Sequence, residues 1–123
     1  MEHPQSENKQ DASESVFLTK AIELVEKNLH VPGYSVEQLS RDLCMERTGL
    51  YRKLVAMLDQ SPSLFIRNIR LQRAAQLILE GSLSITEIAE RTGFSSSSYL
   101  SKCFQEMYGC RPSEYAEKMQ KST

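Results

Sequence analysis

The sequence predicts an all-α fold of seven helices. Apolar residues recur at helical spacing, helix start and stop residues punctuate the chain, and two stretches about fifty residues apart repeat one another. No segment shows the alternation of a half-buried strand.

Length and composition fit this class. A chain of 123 residues, 40% hydrophobic, is expected to form one compact domain without disulfide or metal staples. No apolar run approaches the ~18 residues of a membrane span. The first fifteen residues lack the apolar stretch of a leader peptide, so a cytoplasmic chain is expected. Cys44, Cys103 and Cys110, with His3 and His30, have no metal-ligand spacing. Reduced, packed thiols are expected, with no cofactor and no metal.

The elements follow in order. Residues 1–14 are polar and charged and are expected to be a disordered tail or linker. A first helix is expected from about Ser15 to Leu29, because Leu18, Ile22, Val25 and Leu29 share one face. His30-Val-Pro-Gly33 breaks it. Ser35, with Gln38 three residues on, opens a second helix to about Leu43. A turn at Cys44-Met45-Glu46 leads to a third helix, about Arg47 to Leu58. Ser61-Pro62 reads as N-cap and first helical residue of a fourth, stopped by Gly81 after Glu80. Ser84 and Glu87 box the start of a fifth helix ending at Arg91. Thr92-Gly93-Phe94 turns into a sixth, about Ser97 to Tyr108, ended by Gly109. Pro112 opens a seventh through Tyr115.

The internal repeat organises these helices. Val36, Leu39 and Met45 match Ile85, Ile88 and Phe94; after one inserted residue, Leu50, Arg52, Leu54, Met57 and Pro62 match Leu100, Lys102, Phe104, Met107 and Pro112. Each copy is a short helix, a tight turn and a longer helix, which is the helix-turn-helix unit. The expected division is a tail (1–14), a first helix-turn-helix subdomain (15–61), a linker helix (62–80), a second subdomain (81–118) and a C-terminal tail (119–123). Two units on one long helix suit a bipartite binder better than a solenoid, which needs three or more repeats.

Spacing separates the inner and outer faces of the longer helices. Leu50, Leu54 and Met57 are expected in one core, and Leu100, Phe104 and Met107 in the other. The outer faces are then Arg47, Thr48, Tyr51 and Arg52 in the first unit, and Ser97, Ser98, Ser101 and Lys102 in the second. Both present donors of the kind that read base edges or hold phosphates in a major groove ~12 Å wide. The linker helix should measure roughly 28 Å at ~1.5 Å per residue, near the ~34 Å between successive major-groove faces.

Net charge is −1, but its distribution matters more. Glu2, Glu7, Asp11 and Glu14 against Lys9 put the acidity in the first fifteen residues. From Arg41 to Arg73, seven basic residues face only Asp42, Glu46 and Asp59. Phosphates sense charge within about a Debye length, ~8 Å.

The segments Ile85-Thr-Glu-Ile-Ala-Glu-Arg-Thr-Gly-Phe94, Tyr99-Leu-Ser-Lys-Cys-Phe104 and Gly109-Cys-Arg-Pro-Ser-Glu-Tyr115 resemble the AraC/XylS-type DNA-binding signature. Leu50-Tyr-Arg-Lys-Leu54, Ser61-Pro-Ser-Leu-Phe-Ile66 and Arg70-Leu-Gln-Arg-Ala-Ala-Gln-Leu-Ile78 fit it too. The resemblance spans about residues 16–116 and is strongest to C-terminal output domains of hybrid two-component sensor-regulators. It implies a sequence-specific transcription regulator with both recognition helices in adjacent major grooves, carried by a larger signalling protein. Thr48, Tyr51 and Arg52 fall where the first helix contacts bases, with Arg47 beside them for phosphate. Ser97, Ser98 and Lys102 fall where the second contacts DNA. The amides after Pro62 and Pro112 could hold phosphates. Duplex DNA is the expected partner, with dimerisation through other domains and contact with RNA polymerase as further expectations.

Two departures stand out. Cys44 occupies a turn position where that family often has Gly, a strained choice if φ is positive. Ser95–Ser98 offers only short hydroxyls, which discriminate bases less sharply than Arg or Gln. Phe65, Tyr99, Phe104 and Tyr115 are expected in the core, and Arg70 and Arg73 in structural ion pairs. The alternative function is a helical protein-interaction module that has lost DNA binding. No nucleophile–base pair or phosphate loop supports an enzyme.

Overall fold

The computed structural model describes residues 4–121, with side chains described from residue 12. Seven helices are present among them: α1 (Pro4–Lys27), α2 (Val36–Asp42), α3 (Arg47–Leu58), α4 (Pro62–Glu80), α5 (Ile85–Arg91), α6 (Ser97–Tyr108) and α7 (Pro112–Lys121). The expected spans of α3, α4 and α6 match. Two ends differ. Helix α1 begins at Pro4, so residues 4–14, expected as a disordered tail, continue the helix. Helix α7 runs past Tyr115 to Lys121, where Lys121 pairs with Glu117 at 3.5 Å. Residues 1–3 and 122–123 of the two expected tails lie outside the described residues.

The caps are those the side chains dictate. Ser61 Oγ accepts from the Leu64 amide at 3.3 Å, and Pro62 fills the first position of α4. Ser84 and Glu87 form a complete capping box at α5. Ser35 caps α2 by accepting from the Gln38 amide at 3.4 Å. Gly81 and Gly109 close α4 and α6 at φ 77° and 75°, the left-handed geometry that glycine adopts without a Cβ clash.

Helix α4 is the axis of the molecule and packs against every other helix. Its first half contributes Phe65, Ile66 and Ile69 to a core shared with Ala21, Val25, Leu29, Tyr34, Leu39, Leu50 and Leu54. Its second half contributes Leu71, Ala74, Ala75, Leu77 and Ile78 to a second core with Ile88, Ala89, Phe94, Leu100, Cys103 and Phe104. Each fully buried Leu, Ile or Phe contributes about 1.5–3 kcal/mol. The second core is the more aromatic: Phe104 meets Tyr115 edge-on at 5.2 Å and Tyr108 at 4.5 Å between ring centroids. The changeover between cores falls at one buried residue, Arg70.

Four side chains depart from their expected places. Met107 is 39% exposed, and Cys103 takes the core position instead. Tyr99 is 45% exposed, its ring resting 5.8 Å from that of Phe94. Arg70 forms no ion pair among the described residues; its guanidinium is held by backbone carbonyls. Arg73 is exposed and donates to Gln76 Oε1 at 2.8 Å, again without an ion pair. Of the cysteines, Cys103 and Cys110 are buried, whereas Cys44 is exposed.

Candidate nucleic-acid interface

The two units repeat at the level of single hydrogen bonds. In the first turn, Leu43 N donates to Leu39 O at 3.0 Å and Met45 N to Ser40 O at 2.9 Å. In the second, Thr92 N donates to Ile88 O at 3.0 Å and Phe94 N to Ala89 O at 2.9 Å. Both turns need one residue in the left-handed region. Cys44 supplies it at φ 56° and Gly93 at φ 82°. The inserted residue lengthens the second connection by one, to residues 92–96, before α6 starts.

Each turn launches a twelve-residue helix whose polar face is outward. Leu50 and Leu54 fix α3 by its inner face, and Leu100, Cys103 and Phe104 fix α6. On α3, Arg47, Thr48, Tyr51 and Arg52 are exposed, Tyr51 by 53%. On α6, Ser98 and Lys102 are exposed, while Ser97 and Ser101 are half-buried. Ser96, not Ser97 or Ser98, caps α6 by accepting from the Tyr99 amide at 3.0 Å. The two following hydroxyls are therefore not used up in capping. Glu46 makes no equivalent side-chain bond at α3.

Several cations of the basic stretch are engaged internally. Arg41 pairs with Glu37 at 3.3 Å, and Lys53 lies 4.5 Å from the centre of the Phe17 ring. Arg47, Arg52 and Lys102, in contrast, make no hydrogen bond or ion pair among the described residues. Arg52 and Lys102 hold equivalent positions in the two repeats. An exposed, unpaired cation at the same place on both helices is suited to an anionic ligand.

Between the units lies an open cleft of about 700 Å³, lined by Ser35, Arg47, Ser61, Arg67, Phe94 and Tyr99 among others. A second hollow of about 610 Å³ is lined by Arg47, Thr48, Tyr51, Ser61 and Ser63. Tyr99, which the sequence places in the core, lines this cleft instead, and Arg67 lines it without any sequence pattern that singles it out. Arg67 Nη1 stands 4.0 Å from Glu106 Oε1, and its buried Nε has no hydrogen-bond partner among the described residues. Its helix position, one turn inside α4, was the available signal, but nothing in the spacing told which side it faces.

Electrostatic shifts lie away from the exposed faces. Burial, reinforced by Asp42, raises the Tyr34 hydroxyl, which donates to Asp42 Oδ2 at 3.0 Å. Burial lowers the Arg70 guanidinium from its usual value. The Ser84 backbone amide holds Glu87 below the usual carboxylate range.

Comparison with known proteins gives the same picture. Residues 39–118 match the family model described as a helix-turn-helix domain. Over 99 residues the chain is 39% identical to histidine kinase P4 of Formosa agariphila, a match covering 80% of this chain and 7% of that protein. The structure of a transcriptional regulator with an AraC-type DNA-binding domain from Chromobacterium violaceum aligns with a TM-score of 0.78. It is 29% identical, over 87% of this chain and 95% of that one. The C-terminal domain of AraT, a response regulator from Geobacillus stearothermophilus, aligns with a TM-score of 0.74 at 27% identity, over 83% and 84%. The chain spans less than a third of the length of the first curated relatives it matches.

Two helix-turn-helix units on one linker helix, each turning an open polar helix face outward, define a sequence-specific DNA-binding domain of transcription regulators. Within that class, the chain belongs to the AraC-type helix-turn-helix domain family.

Proposed function

We propose that this domain lays α3 and α6 into adjacent major grooves on one side of a duplex, as the output segment of a larger signalling protein. The observation that carries this reading is the unpaired, exposed trio Arg47, Arg52 and Lys102 on two helices fixed to one linker helix. In the first unit, Thr48, Tyr51 and Arg52 read bases and Arg47 holds phosphate. In the second, Ser97, Ser98 and Lys102 make shorter contacts, mainly to the backbone. The division into subdomains 15–61 and 81–118 around the linker helix 62–80 belongs to this proposal, supported by the two separate cores.

The kinase and the response regulator among its relatives support a signalling role for the full-length protein. No helix of the described residues is long and apolar enough to cross a membrane. We place its work in the cytoplasm, without catalytic chemistry of its own. Dimerisation would be supplied by segments outside this sequence, and RNA polymerase would be the downstream partner.

The test is duplex binding across a salt series, using sites selected from random DNA. Affinity should fall with a log–log slope of several units. Arg52→Ala should cost ~1–3 kcal/mol and relax preference at one base position. Failure to enrich any duplex at low salt, with capture of a protein partner unaffected by Arg52 and Lys102 substitution, would favour the interaction-module reading.

A further inference from the structure

We propose that Arg70 is a positioning residue: it locks the two helix-turn-helix units at one mutual setting and thereby fixes the half-site spacing the domain accepts. This rests on the reading that both units engage one duplex.

Arg70 sits where α4 passes from the first core to the second, with Ile69 in one and Leu71 in the other. It is buried, yet among the described residues it pairs with no carboxylate. Its Nη1 donates to Leu29 O at 2.5 Å and Thr92 O at 2.8 Å; its Nη2 donates to Val31 O and Tyr34 O, each at 3.4 Å. Leu29, Val31 and Tyr34 belong to the connection from α1 to α2 in the first unit. Thr92 is the C-cap of α5, inside the second unit's turn. One guanidinium therefore ties the two units together through backbone atoms.

The chemistry requires this residue type. The Thr92 carbonyl, at the C-cap of α5, carries the negative end of that helix dipole, and the three carbonyls of the α1–α2 connection add their own dipoles, so the charge is compensated by backbone oxygens. A guanidinium presents five donors in a rigid planar fork, whereas an ammonium is a point with three. Burying the charge is tolerable only while its donors are taken up, so any hinge that separates the units is opposed. Gly93 completes the arrangement. A Cβ there would overlap the Arg70 guanidinium and the Leu29 carbonyl oxygen. The second turn is thus moulded around the clasp. Cys44, its counterpart, stands at an exposed turn.

Bases are read by the outer faces of α3 and α6, which Arg70 does not reach. Its loss should therefore spare recognition of each half-site and relax only the distance between them. The experiment uses the selected bipartite duplex with its half-sites moved from about 10 bp apart by inserting one, two or three base pairs. Wild type should lose about tenfold or more in affinity at two inserted pairs. Arg70→Met, which keeps the stem and removes the donors, should lose less than about threefold, while binding a duplex with only the first half-site as wild type does. Arg70→Lys, which keeps the cation but not the fork, is measured alongside for the case in which Arg70→Met does not fold. It should also flatten the spacing profile. A spacing-selective wild type with equally selective folded variants overturns the proposal alone. A wild type indifferent to spacing overturns the two-groove reading, and this proposal with it.

Discussion

The turn of the first unit and the turn of the second share their backbone hydrogen bonds and their one left-handed residue, yet one carries Cys44 and the other Gly93. The backbone angle alone does not explain the choice, since Cys44 adopts it at φ 56°. What differs is the surroundings: Arg70 presses against Gly93, while Cys44 is exposed. A glycine can be required by a neighbour across the fold as much as by its own φ. The same contrast runs through the recognition helices. The first unit shows two free arginines, a threonine and an exposed tyrosine. The second shows serines and Lys102, over the more aromatic core.

The largest effect that would break this comparison is at the second turn. Gly93→Ala combines overpacking, about 1–3 kcal/mol, with left-handed strain, about 1–2 kcal/mol. Denaturant unfolding should show a loss of roughly 3–4 kcal/mol. An unchanged midpoint would mean that the clasp is not as close as described. Next come the two cations. Arg52→Ala should cost about 1–3 kcal/mol of binding to the selected site and change the base preference at one position. Lys102→Ala should weaken all duplexes alike and lower the salt slope by about 1. Identical behaviour of the two variants would erase the proposed inequality of the units.

Cys44→Gly should act in the opposite direction to Gly93→Ala. It relieves strain of about 1–2 kcal/mol while adding about 0.5–1 kcal/mol of unfolded-state entropy. A net gain of roughly 0.5–1 kcal/mol should appear in thermal melts. The caps give a further contrast: Ser96→Ala should lose about 1 kcal/mol, and Glu46→Ser, at the uncapped start of α3, should gain a fraction of that. The smallest effect is acid sensitivity at α5. Glu87 titrates below its unfolded range, so its contribution is present above the ordinary carboxylate pKa and lost as pH falls through the folded value. Wild type should lose more Tm than Glu87→Gln over that acid window.

Much of this was legible in the sequence. Helix starts at Pro62 and Ser84 and stops at Gly81 and Gly109 have local causes, so the residues themselves announce them. The start of α1 does not. Residues 4–14 carry no apolar face, and the helix there extends one already packed through Ala21 and Val25; propagation costs far less than nucleation. Periodicity also gave the direction of each recognition face but not its width. Met107 and Tyr99 therefore lie outside the core that spacing predicted, and Cys103 lies inside it. The partners of Arg70 are 22 to 41 residues away and are carbonyls, which no side-chain pattern encodes. At the candidate interface, of the seven residues that the sequence points to, Arg47, Thr48, Tyr51, Arg52, Ser98 and Lys102 are exposed, whereas Ser97 is half-buried. That Ser96 takes the capping role, and that Arg67 and Tyr99 line the cleft, depend on tertiary placement.

The central claim is that two unequal recognition helices of one chain read a single duplex. Selection of bound sites from random duplex DNA, followed by sequencing, tests it most directly. The account predicts a bipartite motif with half-sites about 10 bp apart, one sharply defined and assigned to α3 by its loss in Arg52→Ala, the other degenerate. A single contiguous motif, or two equally sharp half-sites, would contradict it.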